Sequence, residues 1–207
     1  MQSRIELARE ILGDDLILPG DISLHHTDLK YENEVLVRLG RSIPDERILV
    51  KQKRHDFVLV PGPPVSMSLL NLRDLFRQVF YGKNAPWYAG NRCQFARAYK
   101  VHPRWIALRK QPMRGSLGKK WLDQYTVLPR QEAPANIAQA VWCLAIYEIV
   151  RKIKLYQNTW GRTSSILGTC DQSHVIFGRE FAHEGLMIDG WNDSIQKENT
   201  GIASIYR

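Results

Sequence analysis

Apolar positions along this chain change period several times, and each change marks an element. Over residues 2–12, QSRIELAREIL, Ile5, Ala8 and Leu12 recur at helical spacing and Gly13 follows, which predicts a short helix with a glycine stop. DLKYENEVLVRLG reads as a second short helix, although Val35 and Val37 alternate as they would in a strand. HDFVLVPGPP is a continuous apolar run closed by prolines, the pattern of a buried strand. SMSLLNLRDLFRQVFYG returns to the helical period: Leu69, Leu72, Phe76 and Val79 share a face, Ser66 or Ser68 can cap it, and Gly82 ends it.

KNAPWYAGNRCQ, rich in Gly, Asn and Pro, is the candidate boundary, dividing an N-terminal helical and strand region (1–84) from a second unit (85–207). The second unit opens with a strand, RWIALRK, and a helix containing Trp121 and Leu122. A long helix over 136–152 follows, in which Asn136 and Gln139 have capping-box spacing. Its apolar residues occupy most sides, so burial is expected all round. Beyond Lys154, NTWGRTSS, HVIFGRE, GLMIDGW and GIASIYR are short runs between glycines and polar turns, as in a small antiparallel sheet. Strand alternation would turn Leu186 and Ile188 inward and Met187 and Asp189 outward. The expected fold class is therefore α+β.

Composition narrows the function classes. A chain of 207 residues can bury a sizeable core. Cys93, Cys143 and Cys170 are an odd, widely spaced set without CxxC, which argues against a disulfide scaffold or zinc knuckle. The N-terminus lacks the apolar core of a secretory signal, and AVWCLAIYEIV (140–150) is too short to span a bilayer and contains Glu148. Cytoplasmic synthesis and no membrane span are expected. Charge is uneven: residues 1–89 are neutral, 90–169 carry +11 and 170–207 carry −3. The basic middle suggests a solvated face, an acidic partner or nucleic acid.

The six histidines show no zinc-ligand spacing: His25 and His26 are adjacent, His55 and His102 are isolated, and only His174 and His183 share the tail. No GxSxG, phosphate-loop or GxGxxG motif occurs, and PGPP at 61–64 reads as a rigid turn. Trp191-Asn192-Asp193 matches the WND of sugar-binding C-type lectins, whose oxygens hold calcium, but the companion Glu-Pro-Asn or Gln-Pro-Asp is missing and EAPAN (132–136) opens a helix instead. No metal or cofactor is assigned.

From about Asp56 onward the order of motifs resembles a known family. PPVSMSLLNLRDLF, FYGKNAPWYAG, WIALRKQPMRGSLGKKW, EAPANIAQAVWCLAIYEIVRKIKLYQNTWGRTSS and VIFGREFAHEGLMIDGWNDSIQKENTGIASIYR together are similar to the variable proteins of diversity-generating retroelements. These elements copy a template repeat through an adenine-miscopying reverse transcriptase and overwrite the end of the target gene. The resemblance covers roughly three quarters of the chain and is carried by the ordered set rather than by any one piece. It implies a C-type lectin-like ligand-binding domain over 85–207, made of small antiparallel sheets with two helices, and a variable region of about 170–207.

Matched residue by residue, the resemblance makes Phe177, Gly178, Gly185, Leu186, Trp191, Gly201, Ile202 and Ala203 the frame. The diversified ligand-binding positions would be His174, Ile176, Arg179, Met187, Asp189, Gly190, Asn192, Ser194, Gln196, Glu198, Asn199 and Thr200. Miscopied Asn codons yield most of these residue types; Met187, Gln196, Lys197 and Glu198 need other template codons or belong to the frame. The implied function is non-enzymatic recognition of a protein or glycan on another cell or virus, by a protein displayed on a virus particle or cell surface. Two other classes are weighed against it. Formylglycine-generating enzymes use the same fold with a reactive cysteine pair, and a nucleic-acid-binding protein would need Arg92, Arg97, Lys100, Arg104, Lys119 and Lys120 on one face.

Overall fold

The computed structural model describes residues 3–82, 86–90, 93–168, 172–180 and 185–207. The first half begins with four helices, α1 (Arg4–Leu12), α2 (Pro19–His25), α3 (Asn33–Ser42) and α4 (Glu46–Arg54). Then come strands β1 (Phe57–Pro61) and β2 (Met67–Ser68) and helix α5 (Leu69–Leu75). After α6 (Phe95–Ala98), β3 (Lys100–Val101), β4 (Trp105–Arg109), α7 (Trp121–Thr126) and β5 (Glu132–Pro134) comes the long α8 (Ile137–Arg151). The tail forms β6 (Trp160–Ile166), β7 (Ser173–Gly178), β8 (Met187–Asn192), β9 (Thr200–Ile202) and β10 (Ser204–Tyr206). The chain is thus mixed α and β, with small, mostly antiparallel sheets.

Local chemistry accounts for the helix ends. Ser3 and Glu6 form a reciprocal capping box at α1, Ser68 and Asn71 at α5, and Asn136 and Gln139 at α8, each satisfying amides that the first turn leaves unbonded. The helix expected to run to Gly82 stops at Leu75. A single 3₁₀ turn (Arg77–Val79) follows, and the chain turns so that Phe80 bridges to Leu186. The alternating Val35 and Val37 lie in a helix after all; its only fully buried residue is Leu39.

The first sheet, ordered β1-β4-β10-β5, is covered on both sides. Val58, Val60, Ile106 and Leu108 face the main core around α8, whereas Phe57, Leu59 and Ala107 join Ala8, Leu12 and Leu49 under α1 and α4. Burial on both faces explains the uninterrupted apolar run of β1. Residues on either side of position 84 therefore share one core and one sheet. PGPP is part of this packing: Trp142 Nε1 donates to the Pro61 carbonyl at 2.8 Å and Tyr31 Oη to that of Gly62 at 2.9 Å.

The second sheet is ordered β8-β7-β6-β9. Its β6–β9 pair is parallel, whereas the short tail runs predict antiparallel neighbours throughout. The expected single run GIASIYR also divides. Its first half pairs with β6, and its second half, beyond Ala203, enters the first sheet between β4 and β5.

Glu132 locks that entry. Its carboxylate receives Arg109 Nε at 3.0 Å, Arg109 Nη2 at 2.6 Å and the Ser204 hydroxyl at 2.6 Å, with the Glu132 side chain 1% exposed. Removing one side of a buried charge pair strands the other. Glu132→Ala should lower unfolding free energy by about 3–5 kcal/mol in urea titrations; a loss below about 1 kcal/mol, the range of a surface pair, would remove the lock from this account.

Candidate functional site

The tail sheet has two unlike faces, set by register. Gly161, Val175, Phe177 and Ile188 turn toward α8 and the main core. Opposite residues in a pair share a face. The aligned sets Arg162, Ile176, Asp189 and Trp160, Gly178, Met187 therefore lie on the other, outer face, as do His174 and Trp191. Leu186 and Ile188 are buried and Asp189 is exposed, as alternation predicts.

The outer face has its own cover, which the sequence did not signal. Strands β8 and β9 sit at opposite edges and run the same way, so residues 193–199 must cross over the sheet. Lys197 lies on that crossing, its Nζ 4.1 Å from the Trp160 ring centroid and 4.9 Å from that of Trp191. Helix α7 covers the rest. The Trp121 ring stacks on His174 at 3.7 Å and 23°, and Gln124 Nε2 donates to the Thr200 carbonyl at 2.9 Å.

Four residues expected on the exposed ligand-binding surface are consequently buried: His174, Ile176, Arg179 and Thr200. Ile176 lies on the outer face opposite Arg162, and the Thr200 carbonyl is capped by Gln124 of α7. Arg179, just past β7, turns to pair with Glu148 of α8. Asp189, Asn192, Ser194, Gln196 and Glu198 are exposed, while Met187, Gly190 and Asn199 are half-buried. Of the expected frame, Phe177, Gly178, Gly185, Leu186, Gly201, Ile202 and Ala203 are buried; Trp191 is half-buried and donates Nε1 to the Ile195 carbonyl at 3.0 Å.

The exposed loop is held by its own backbone. Asn192 Oδ1 accepts from the Ser194 amide at 2.8 Å and the Ser194 hydroxyl at 2.6 Å, a local turn. The Trp121 amide donates to the Asp193 carbonyl at 3.1 Å, and the Trp160 amide to that of Asn199 at 2.8 Å. Both Asp193 carboxylate oxygens lie 2.9 Å from His174 Nδ1. The oxygens of Asn192 and Asp193 are thus engaged within the protein, and no group of three or more metal-ligating side chains occurs among the described residues.

Beside β8 lies a groove of about 390 Å³ lined by Trp87, Tyr81, Tyr88, Pro86, Gly82 and Arg73 opposite Leu186, Met187, Ile188 and Asp189. Trp87 is half exposed and anchored by its Nε1, which donates to the Ile188 carbonyl at 3.0 Å. The sequence marks this aromatic loop only as a boundary. Its signal was two aromatics, Trp87 and Tyr88, within a Gly- and Pro-rich stretch.

The described members of the rival constellations lie on several elements. Cys143 is fully buried in α8, and burial pushes its thiol pKa up; Cys93 is half-buried, and Cys170 lies outside the described residues. His174 and Asp193 form a base–orienter pair, but no serine or cysteine bonds to His174 Nε2 among the described residues. Of the basic set, Arg97 lies in α6, where it donates to the Ala89 and Gly90 carbonyls. Lys100 is in β3, Arg104 precedes β4, Lys119 and Lys120 precede α7, and Arg92 and His183 lie outside the described residues. Compared with models of known families, with curated proteins and with solved structures, the chain matches none. No helix among the described residues is long and apolar enough to cross a membrane.

Gly185 has φ of 118° and a Cβ there would meet Tyr81 N at 2.5 Å, whereas a Cβ at Gly190 would meet only the tip of the Leu167 side chain, at 2.7 Å. Gly185→Ala should cost roughly 1–3 kcal/mol in denaturant titration and Gly190→Ala less than about 1; equal costs would contradict the frame. The His174 pKa is lowered from 6.5, by burial first, then by Arg162, against the favourable Asp193 bond. The unfolded chain then binds this proton at a higher pH than the fold does. Stability from neutral His174 is full above 6.5 and is lost as pH falls through 6.5 toward the lowered value. Melting curves from about pH 8 to pH 5 should fall in the wild type and fall less in His174→Gln; parallel profiles would exclude His174 as a source.

Proposed function

We propose that this chain is a non-enzymatic ligand-binding protein of C-type lectin-like fold over 85–207, whose exposed tail residues recognise a protein or glycan on another cell or virus. The carrying observation is the division of labour between 187 and 202. Asp189, Asn192, Ser194, Gln196 and Glu198 project into solvent from a backbone pinned by Trp160, Trp191, Lys197 and Trp121. Side chains on such a loop can change at little cost to the fold, usually within about 0.5 kcal/mol. A preorganised backbone also reduces the ordering cost of binding.

The aromatic groove extends this surface. Trp87 and Tyr81 supply rigid, amphipathic contact area next to Met187 and Asp189, the kind of anchor around which polar contacts specify a partner. The resemblance to retroelement variable proteins supplies the origin of the diversity: adenine-directed mutagenic retrohoming rewriting the end of the gene. Of the twelve expected variable positions, burial favours those on the exposed loop and leaves His174, Ile176, Arg179 and Thr200 to the frame.

Sequencing the gene and its flanking DNA from several isolates tests the proposal. Substitutions should concentrate at Asp189, Asn192, Ser194, Gln196 and Glu198, at template adenines, beside a reverse-transcriptase gene, with the four buried positions constant. Substitutions spread evenly along the chain, with no template repeat nearby, would sink it.

A further inference from the structure

We propose that the outer face of the tail sheet, beneath α7, holds a buried site for a small monovalent inorganic anion of halide size, centred on the Arg162 guanidinium. Arg162 is fully buried, and its Nε, Nη1 and Nη2 have no hydrogen-bond partner. It projects from β6, between Ile176 of β7 and Ile202 of β9, on the face that Trp121 and Gln124 close. Two more buried groups on that face are unpartnered: the donor Trp160 Nε1, two residues along the same strand, and the hydroxyl of Thr200, which can donate or accept and stands opposite Trp160. Among the described residues, one unpartnered buried side-chain oxygen on this side can only accept, Gln124 Oε1. The Gln124 amide nitrogen is committed to the carbonyls of Ser116 and Thr200, at 2.9 Å each.

This imbalance selects the guest. A buried cation without acceptors is strongly unfavourable. A water molecule can place its two hydrogens on Gln124 Oε1 and the Thr200 hydroxyl, but it brings no charge to offset the guanidinium. A halide accepts from several donors and donates to none. One negative charge balances Arg162. A second would be in excess, because Asp193 already acts on Arg162 from a distance while hydrogen-bonded to His174. The enclosure by Ile176, Ile202 and α7 favours a small ion that can shed its water. The site is independent of the recognition surface and would stiffen the strand that carries Trp160 and, through it, Lys197.

Thermal melting of the full chain in gluconate buffer, titrated with chloride or bromide at constant ionic strength, tests it. Wild type should show a saturable rise in Tm of roughly 5–10 °C at a hundredfold excess over Kd. Arg162→Met should abolish the rise and the exposed control Arg130→Gln should keep it. A non-saturating response, or the same response in Arg162→Met, overturns the site. Should Arg162→Met fail to fold, wild-type crystals soaked in bromide decide: an anomalous peak bonded to the guanidinium is expected. Ordered water alone there, or peaks confined to the surface as an adventitious ion only, overturns it.

Discussion

The buried carboxylate of Glu132 is the point on which the two sheets depend. It takes two hydrogen bonds from Arg109 and one from Ser204, and Arg109 also donates to the His55 carbonyl and lies 4.8 Å above the Phe57 ring. One charge thus ties β1, β4, β5 and β10 together, joining residues from the first third of the chain to its last four. Immediately before Ser204, Ala203 donates its amide to Arg162 of the tail sheet and accepts from the Ala135 amide. The chain end therefore cannot pair with one sheet without being held by the other.

That constraint has consequences for the tail. Strand β9 must reach the far edge of its sheet to lead into β10, so the 193–199 segment is carried across the outer face rather than around a hairpin. The crossing places polar side chains in solvent while its backbone is bonded to Trp121 and Trp160 below. Solvent exposure and structural hydrogen bonding are thereby divided between the side chains and the backbone of the same segment. The buried donors of Arg162 and Trp160 lie on the face beneath α7 and this crossing, where a guest rather than the protein can complete their hydrogen bonds.

Much of the fold was legible in local pattern. The caps at Ser68 and Asn136, the apolar run of β1, the burial of α8 and the inward turn of Leu186 and Ile188 follow from period and capping chemistry, which act over a few residues. Helix α4 leaves little trace in the sequence, because its buried residues number only Leu49 and Gln52 and its apolar pattern is thin. The two-residue β2 and β3 carry no period at all, and the groove aromatics Trp87 and Tyr88 resemble a boundary loop because their partner, β8, is a hundred residues away.

The sequence by itself determined which residues turn away from the core, since alternation along a strand is a local property. Only the tertiary structure decided what those residues meet. Asp189 and His174 both turn outward, yet Asp189 meets water and His174 meets Trp121, because α7, some fifty residues earlier in the chain, covers one part of the face and not the other. The partner of β9, the division of the last run at Ala203 and the burial of Arg162 have the same cause. Each depends on where distant segments cross, a matter of global connectivity that no short stretch of sequence encodes.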